Sequence, residues 1–179
     1  VGEINFSSFP RSGNHFTKDL INNCLPKIVL NWDGHHRASF FNNKKNCFTV
    51  IRKPEDCIAS WIIYNRDTRE ERIDKVTEWY IAFYKQCINN NITVVNFSNL
   101  ITEPIIILNF LCNIFNIENK NLHKYDLSKL DKNATKITRK KEVEKVKFDV
   151  MNSKFYLQAT DIFEDLSNST RKPVLIPSY

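Results

Sequence analysis

Glycine is scarce in this chain, three residues in 179. Each one therefore marks a place where the backbone must turn sharply or pass close to something. A run of about 20 apolar residues is missing, and so is a signal sequence, which argues against a membrane span or an export route. The five cysteines (Cys24, Cys47, Cys57, Cys87 and Cys112) are odd in number and scattered, without a Cys-x-x-Cys pair. That pattern speaks against a zinc ribbon and for reduced thiols in a cytoplasmic protein. The string G-x-x-x-x-G-K-[ST] does not occur, so the chain has no Walker A loop. RNP, KH and zinc-finger patterns are also missing, and nucleic acid is not the expected partner.

What is there belongs to a globular protein: 42% of residues are hydrophobic and 12% aromatic, enough for a packed core. The length suits one α/β domain spanning 1–179. A formal charge of +6 and a pI near 9.0 suit a polyanionic ligand without choosing between a nucleotide, a nucleic acid and an acidic sugar.

Ile4 to Phe9 alternates as a short strand does and runs into the turn-rich Pro10-Arg11-Ser12-Gly13-Asn14. Phe16, Leu20 and Ile21 then recur at helical spacing. Lys27 to Trp32 reads as a second strand, and Cys47 to Ile51 as the most strongly buried one. Pro54 suits a first helical position, with Glu55 and Asp56 at the positive end of the dipole, and that helix extends to Asn65. A longer amphipathic helix is predicted from Glu70 to Ile88, a strand over Ile92 to Phe97, and a helix from Pro104 to Phe115. Strands alternating with helices predict three layers, with a mainly parallel central sheet and flanking helices. From about 117 to 179 the chain reads as irregular, with a charged helix over Lys140 to Val150, a short one over Thr160 to Leu166, and a proline-rich tail.

The segment Ser7-Ser8-Phe9-Pro10-Arg11-Ser12-Gly13-Asn14-His15-Phe16 has the design of an anion-binding loop. Gly13 permits close approach, Arg11 carries fixed charge, Ser12 and Asn14 offer donors, and the helix beginning near His15 and Phe16 presents its N-terminus. Phe9-Pro10-Arg11-Ser12-Gly13-Asn14 resembles the 5′-phosphosulfate loop of sulfotransferases, [FY]-P-[KR]-S-G-[TN]-[TH]. The resemblance implies a P-loop-NTPase-like fold, the cosubstrate 3′-phosphoadenosine 5′-phosphosulfate (PAPS), its product PAP, and no metal. It also places Arg11 where a basic residue contacts the bridging oxygen and the sulfuryl group.

A second stretch, Val50-Ile51-Arg52-Lys53-Pro54-Glu55-Asp56-Cys57-Ile58-Ala59-Ser60-Trp61, is similar to the same family's 3′-phosphate element. There an Arg ends a buried strand and a Ser follows eight positions later, as Arg52 and Ser60 do here. An Arg so placed can bind phosphate through bidentate, charge-assisted bonds. A weaker likeness covers Ile92 to Phe115, where Leu100 and Pro104 match but a Tyr-Glu-Asp portion is missing and Phe110-Leu111-Cys112 replaces Phe-Leu-Gly.

In that family a His after the second strand serves as general base, and Asp33-Gly34-His35-His36-Arg37 stands at the place. The motif does not separate His35 from His36; His36 is taken first, with Gly34 expected to make the turn. Adjacent residues of extended chain point to opposite faces, so the pair is a poor metal site. The family's closing loop R-K-G-x-x-G has no counterpart, and Arg139 and Lys140 are the candidate substitutes. Trp32, Phe40, Phe41, Trp61 and Tyr64 are candidates to line the acceptor pocket, with a carbohydrate among the acceptors considered. Two other readings stay open. One is a degenerate protein that binds PAPS or PAP without turnover. The other is a small nucleotide kinase, although no Asp ends the strand before Ser98 to hold Mg²⁺.

Overall fold

The computed structural model describes residues 2–118 and 140–169. They form β1 (Glu3–Phe6), α1 (Asn14–Cys24), β2 (Val29–Trp32), β3 (Cys47–Ile51), α2 (Pro54–Asn65), α3 (Glu70–Asn89), β4 (Thr93–Asn96), α4 (Phe97–Thr102), α5 (Pro104–Ile114), α6 (Lys140–Met151) and α7 (Tyr156–Ser169), with a 3-10 turn at Ala38–Phe41. The four strands are all parallel, in the order β2-β1-β3-β4. Residues 119–139 and 170–179 lie outside the described residues. Arg139, the loop read from Glu118 to Asn133 and the proline-rich tail fall there, apart from Glu118 itself.

β3 is buried throughout, and apolar except for Thr49, because both of its faces are covered. Phe48 and Val50 pack with α1, α4 and α5, through residues such as Leu20, Leu100 and Leu108. Cys47 and Ile51 point the other way, toward α2, α3, α6 and α7, where Ile58, Tyr80, Val146 and Ile162 lie. Helices thus cover both faces of the parallel sheet. Among the described residues no helix is long and apolar enough to cross a membrane.

The observed helices and strands depart from expectation most at three places, and β2 begins at Val29, two residues after the strand read from Lys27. β4 ends at Asn96 instead of continuing through Phe97, because Asn96 caps α4 by accepting the Ser98 N–H at 2.8 Å. The first strand stops at Phe6, where the chain leaves the sheet for the loop. In the C-terminal third, α7 begins at Tyr156, four residues before the helix read from the sequence. The preceding Ser153 holds the corner: its backbone carbonyl accepts the Tyr156 N–H, and its hydroxyl bonds Asp74 on α3. Val143, Val146 and Val150 of α6, with Ala159, Ile162 and Leu166 of α7, join the core above α2 and α3.

Candidate functional site

From β1 the chain runs through α1 to β2 on one side, whereas β3 leads through α2 and α3 to β4 on the other. Adjacent β1 and β3 therefore send their connections in opposite directions. In open parallel sheets this leaves a crevice beyond the strands' C-terminal ends, where ligands bind. The loop after β1 and residues Arg52 and Lys53 after β3 flank that crevice.

Two residues of the first loop adopt left-handed backbone, Arg11 (φ 64°) and Gly13 (φ 88°). A Cβ on Gly13 would lie 2.5 Å from the Phe97 ring, so glycine is required there twice over. α1 then starts with no side-chain cap and no acid in its first turn. Its leading N–H groups and the positive end of its dipole face the loop.

The remaining loop residues divide between the crevice and the interior. Ser12 is fully buried, its hydroxyl beside the Cys57 thiol and the Tyr84 hydroxyl. Asn14 is also buried; its Oδ1 accepts the Ser8 hydroxyl and its Nδ2 donates to the Phe9 carbonyl at 3.3 Å. Both side chains brace the loop from within, unlike the outward donors read from the sequence. Pro10 is buried, and Phe16 fills the core beneath α1. His15 is exposed and meets Trp32 edge-on, the same ring over which Lys18 lies.

Arg11 and Arg52 meet in the crevice. Arg11 Nε donates to Ser60 Oγ at 2.8 Å, and Arg52 Nη1 donates to the Arg11 carbonyl at 3.1 Å. The Arg52 guanidinium lies 4.7 Å from the Phe97 ring centroid, and its own carbonyl accepts the Tyr80 hydroxyl at 2.9 Å. Arg52 Nε is buried without a hydrogen bond. The nearest carboxylate oxygen, on Asp56, stands 3.9 Å away, and Lys147 engages that carboxylate at 2.9 Å. Burial, and then the like charge of Arg52, push the Arg11 guanidinium below its ordinary value. Two like-charged guanidinium groups near one another and a buried donor without a hydrogen bond are a chemistry suited to holding an anion.

Asp33 builds the neighbouring loop. Its carboxylate accepts the backbone N–H groups of His35 (3.0 Å) and Arg37 (2.8 Å), with the Arg37 guanidinium at 3.4 Å. Burial alone would raise this carboxyl; the donated bonds outweigh it and hold the group below the usual range. The left-handed residue of this turn is His36 (φ 57°), not Gly34, because the bonds to Asp33 fix the chain on either side of it. His36 Nδ1 lies 2.9 Å from the Ser8 carbonyl. That carbonyl can only accept, whereas Asn14 Nδ2, 3.4 Å from the same nitrogen, can only donate; the shorter contact favours the tautomer with the proton on Nδ1 and the lone pair on Nε2. Burial lowers the imidazole below its ordinary value, against the pull of Ser8 and Asp33, which leaves it neutral at neutral pH. His35 is exposed beside it.

The aromatic candidates separate in the same way. Phe41 is buried and Phe40 packs against the core. Trp61 stands edge-on to His36 at 6.2 Å and stacks on Tyr64 at 5.7 Å. Lys140 opens α6, which lies along α2. Among the described residues no group of three His, Cys, Asp or Glu could hold a metal ion.

Several contributors were not singled out from the sequence. Tyr80 fixes the Arg52 carbonyl, Phe97 underlies both Gly13 and Arg52, and Asp33 folds the His36 turn. Only Asp33 carried a local signal, as an Asp beside a Gly at the end of a strand, the composition of a side-chain-bonded turn. Comparisons with protein-family models, curated proteins and solved structures found no match.

Proposed function

We propose that this crevice binds PAPS and that the chain transfers its sulfuryl group to an acceptor hydroxyl or amine. The observation that carries the reading is the meeting of Arg11 and Arg52 at the switch point. They sit beside an uncapped helix N-terminus, with Arg52 Nε buried and without a hydrogen bond. On this reading the parallel sheet, loop and helix form a P-loop-NTPase-like arrangement in which backbone N–H groups replace the Walker lysine as the main anion cradle.

Arg52, with Ser60, would hold the 3′-phosphate, and Arg11 with the first turn of α1 the 5′ end. Arg139 and Lys140 are the cations that would close over the 3′-phosphate. The cosubstrate supplies an activated sulfuryl group whose departure leaves charge on the 5′-phosphate. Arg11 is the fixed cation suited to that charge. His36 Nε2 would accept the proton of the incoming hydroxyl, and Trp61 walls the approach to it. The acceptor, with a carbohydrate among the candidates, would reach His36 from this side.

Thermal unfolding with PAP, ADP and ATP tests the reading. At a hundred times its dissociation constant a ligand adds about 2.7 kcal/mol of stability, which is a plain rise in Tm. Stabilisation by PAP and not by ADP is the expected result. No response to PAP, or equal responses to PAP and ADP, would remove the 3′-phosphate site and with it the sulfotransferase reading. PAP binding without turnover on any acceptor tried would instead favour the degenerate binder.

A further inference from the structure

Arg11 is held by more than its bond to Ser60. Its guanidinium carbon lies 5.6 Å from the centroid of the Tyr64 ring. Ser60 and Tyr64 are four residues apart on α2 and so share one face of that helix. The hydroxyl takes Nε, and the ring lies beside the guanidinium. Neither terminal nitrogen of Arg11 has a partner among the described residues.

Tyr64 does not owe its place to the core. It is 64% exposed, and its ring contacts are with Trp61, stacked at 5.7 Å with planes 20° apart, and with Arg11. Trp61 is in turn wedged against Trp79 at 6.1 Å. The Tyr64 ring is thus propped from behind. Arg11 itself has a left-handed backbone, a conformation that costs a residue with a side chain and persists only where surrounding contacts impose it.

We infer that Tyr64 is a positioning residue. Together with Ser60 it fixes the Arg11 guanidinium so that the terminal nitrogens present to the 5′ end of the bound nucleotide. This rests on the assignment of Arg11 to that end. A planar guanidinium suits the arrangement as an ammonium would not, because it can lie against a ring while donating in its own plane.

Calorimetric titration of the whole chain with two probes tests it: PAP, which carries both phosphates, and adenosine 3′-monophosphate, which lacks the 5′ group. Tyr64→Ala should weaken PAP about three- to fivefold and leave the 3′-monophosphate unchanged. Tyr64→Phe, which keeps the ring, should bind PAP as the parent does. In an Arg11→Ala background, Tyr64→Ala should have no further effect on PAP, since the two changes remove the same interaction.

An unchanged PAP affinity, equal losses for both probes, or additive losses with Arg11→Ala would each overturn the role of Tyr64 while leaving the site assignment standing. A parent protein that binds PAP no more tightly than the 3′-monophosphate would overturn the assignment of Arg11, and the role of Tyr64 with it.

Discussion

The residues that matter most here are those with unusual backbones. Gly13 has φ 88° with the Phe97 ring 2.5 Å from where a Cβ would sit. Gly13→Ala should destabilise the fold by about 2 kcal/mol, through left-handed strain and the clash together; urea unfolding measures it, and a loss under half of that would mean Phe97 moves aside freely. Its importance was legible, since so few glycines are available to explain otherwise. Arg11 and His36 share the left-handed conformation without a glycine to mark it, so no residue type announced their strain. His36 also makes stability depend on pH. Its folded value lies below the ordinary 6.5 because of burial. In acid the unfolded chain binds a proton that the folded chain resists. The contribution of His36 is therefore complete above about pH 6.5 and is lost as pH falls through the folded value. Denaturation midpoints should fall more steeply between pH 7 and pH 5 for the parent than for His36→Gln; equal slopes would place the titration on another group.

At the scale of elements, α6 and α7 give the clearest expectation. Val150 is fully buried in the cluster shared with α2 and α3. Val150→Ala should cost about 2 kcal/mol through lost contacts and the cavity left behind, read from equilibrium denaturation. A helix merely appended to the surface would tolerate the change with little effect. The best-read elements were those whose local signals agree with their burial. β3 is a β-branched and aromatic run buried at every position, α2 has Pro54 at its start and acids in its first turn, and α3 carries a clean stripe from Ile73 to Cys87. Failures came where one side chain overrules hydrophobic pattern. Phe97 reads as strand because it is aromatic and follows Val94 and Val95, yet the Asn96 cap turns the chain into α4. The front of α7 was missed because its early residues, Leu157 and Gln158, are exposed. For the site, the sequence pointed to Arg11 and Arg52 at strand-to-helix junctions and to Ser60 two turns into the second helix, but it did not show the inward turn of Ser12 and Asn14. That depends on what lies beneath the loop, namely Tyr84, Cys57 and the Phe9 carbonyl.

The molecule as a whole was legible as strands alternating with helices, which is enough to imply parallel pairing. The order of the strands was not, because β1 and β2 are both short and nothing local says which of them β3 will join. One expectation belongs to the whole fold. All five cysteines are buried, and burial raises the Cys24 thiol to about 11 and those of Cys57 and Cys87 to about 12. Thiol labelling at mild alkaline pH should therefore be slow for every cysteine in the native protein and quick once denaturant is added. A thiol that reacts fast in the native state would locate a region that opens without global unfolding.

The bond from Arg52 to the Arg11 carbonyl joins positions 41 apart, and that from Arg11 to Ser60 spans 49. Between them the chain makes the whole excursion through α1 and β2. Contacts of such range form only after the cost of closing the intervening loop has been met. A chain emerging from the ribosome thus has the Arg11 loop early and the meeting of Arg11 with Arg52 and Ser60 late, when β3 docks beside β1. Any nucleotide held there recognises a finished sheet, so it retards unfolding and does little to hasten folding.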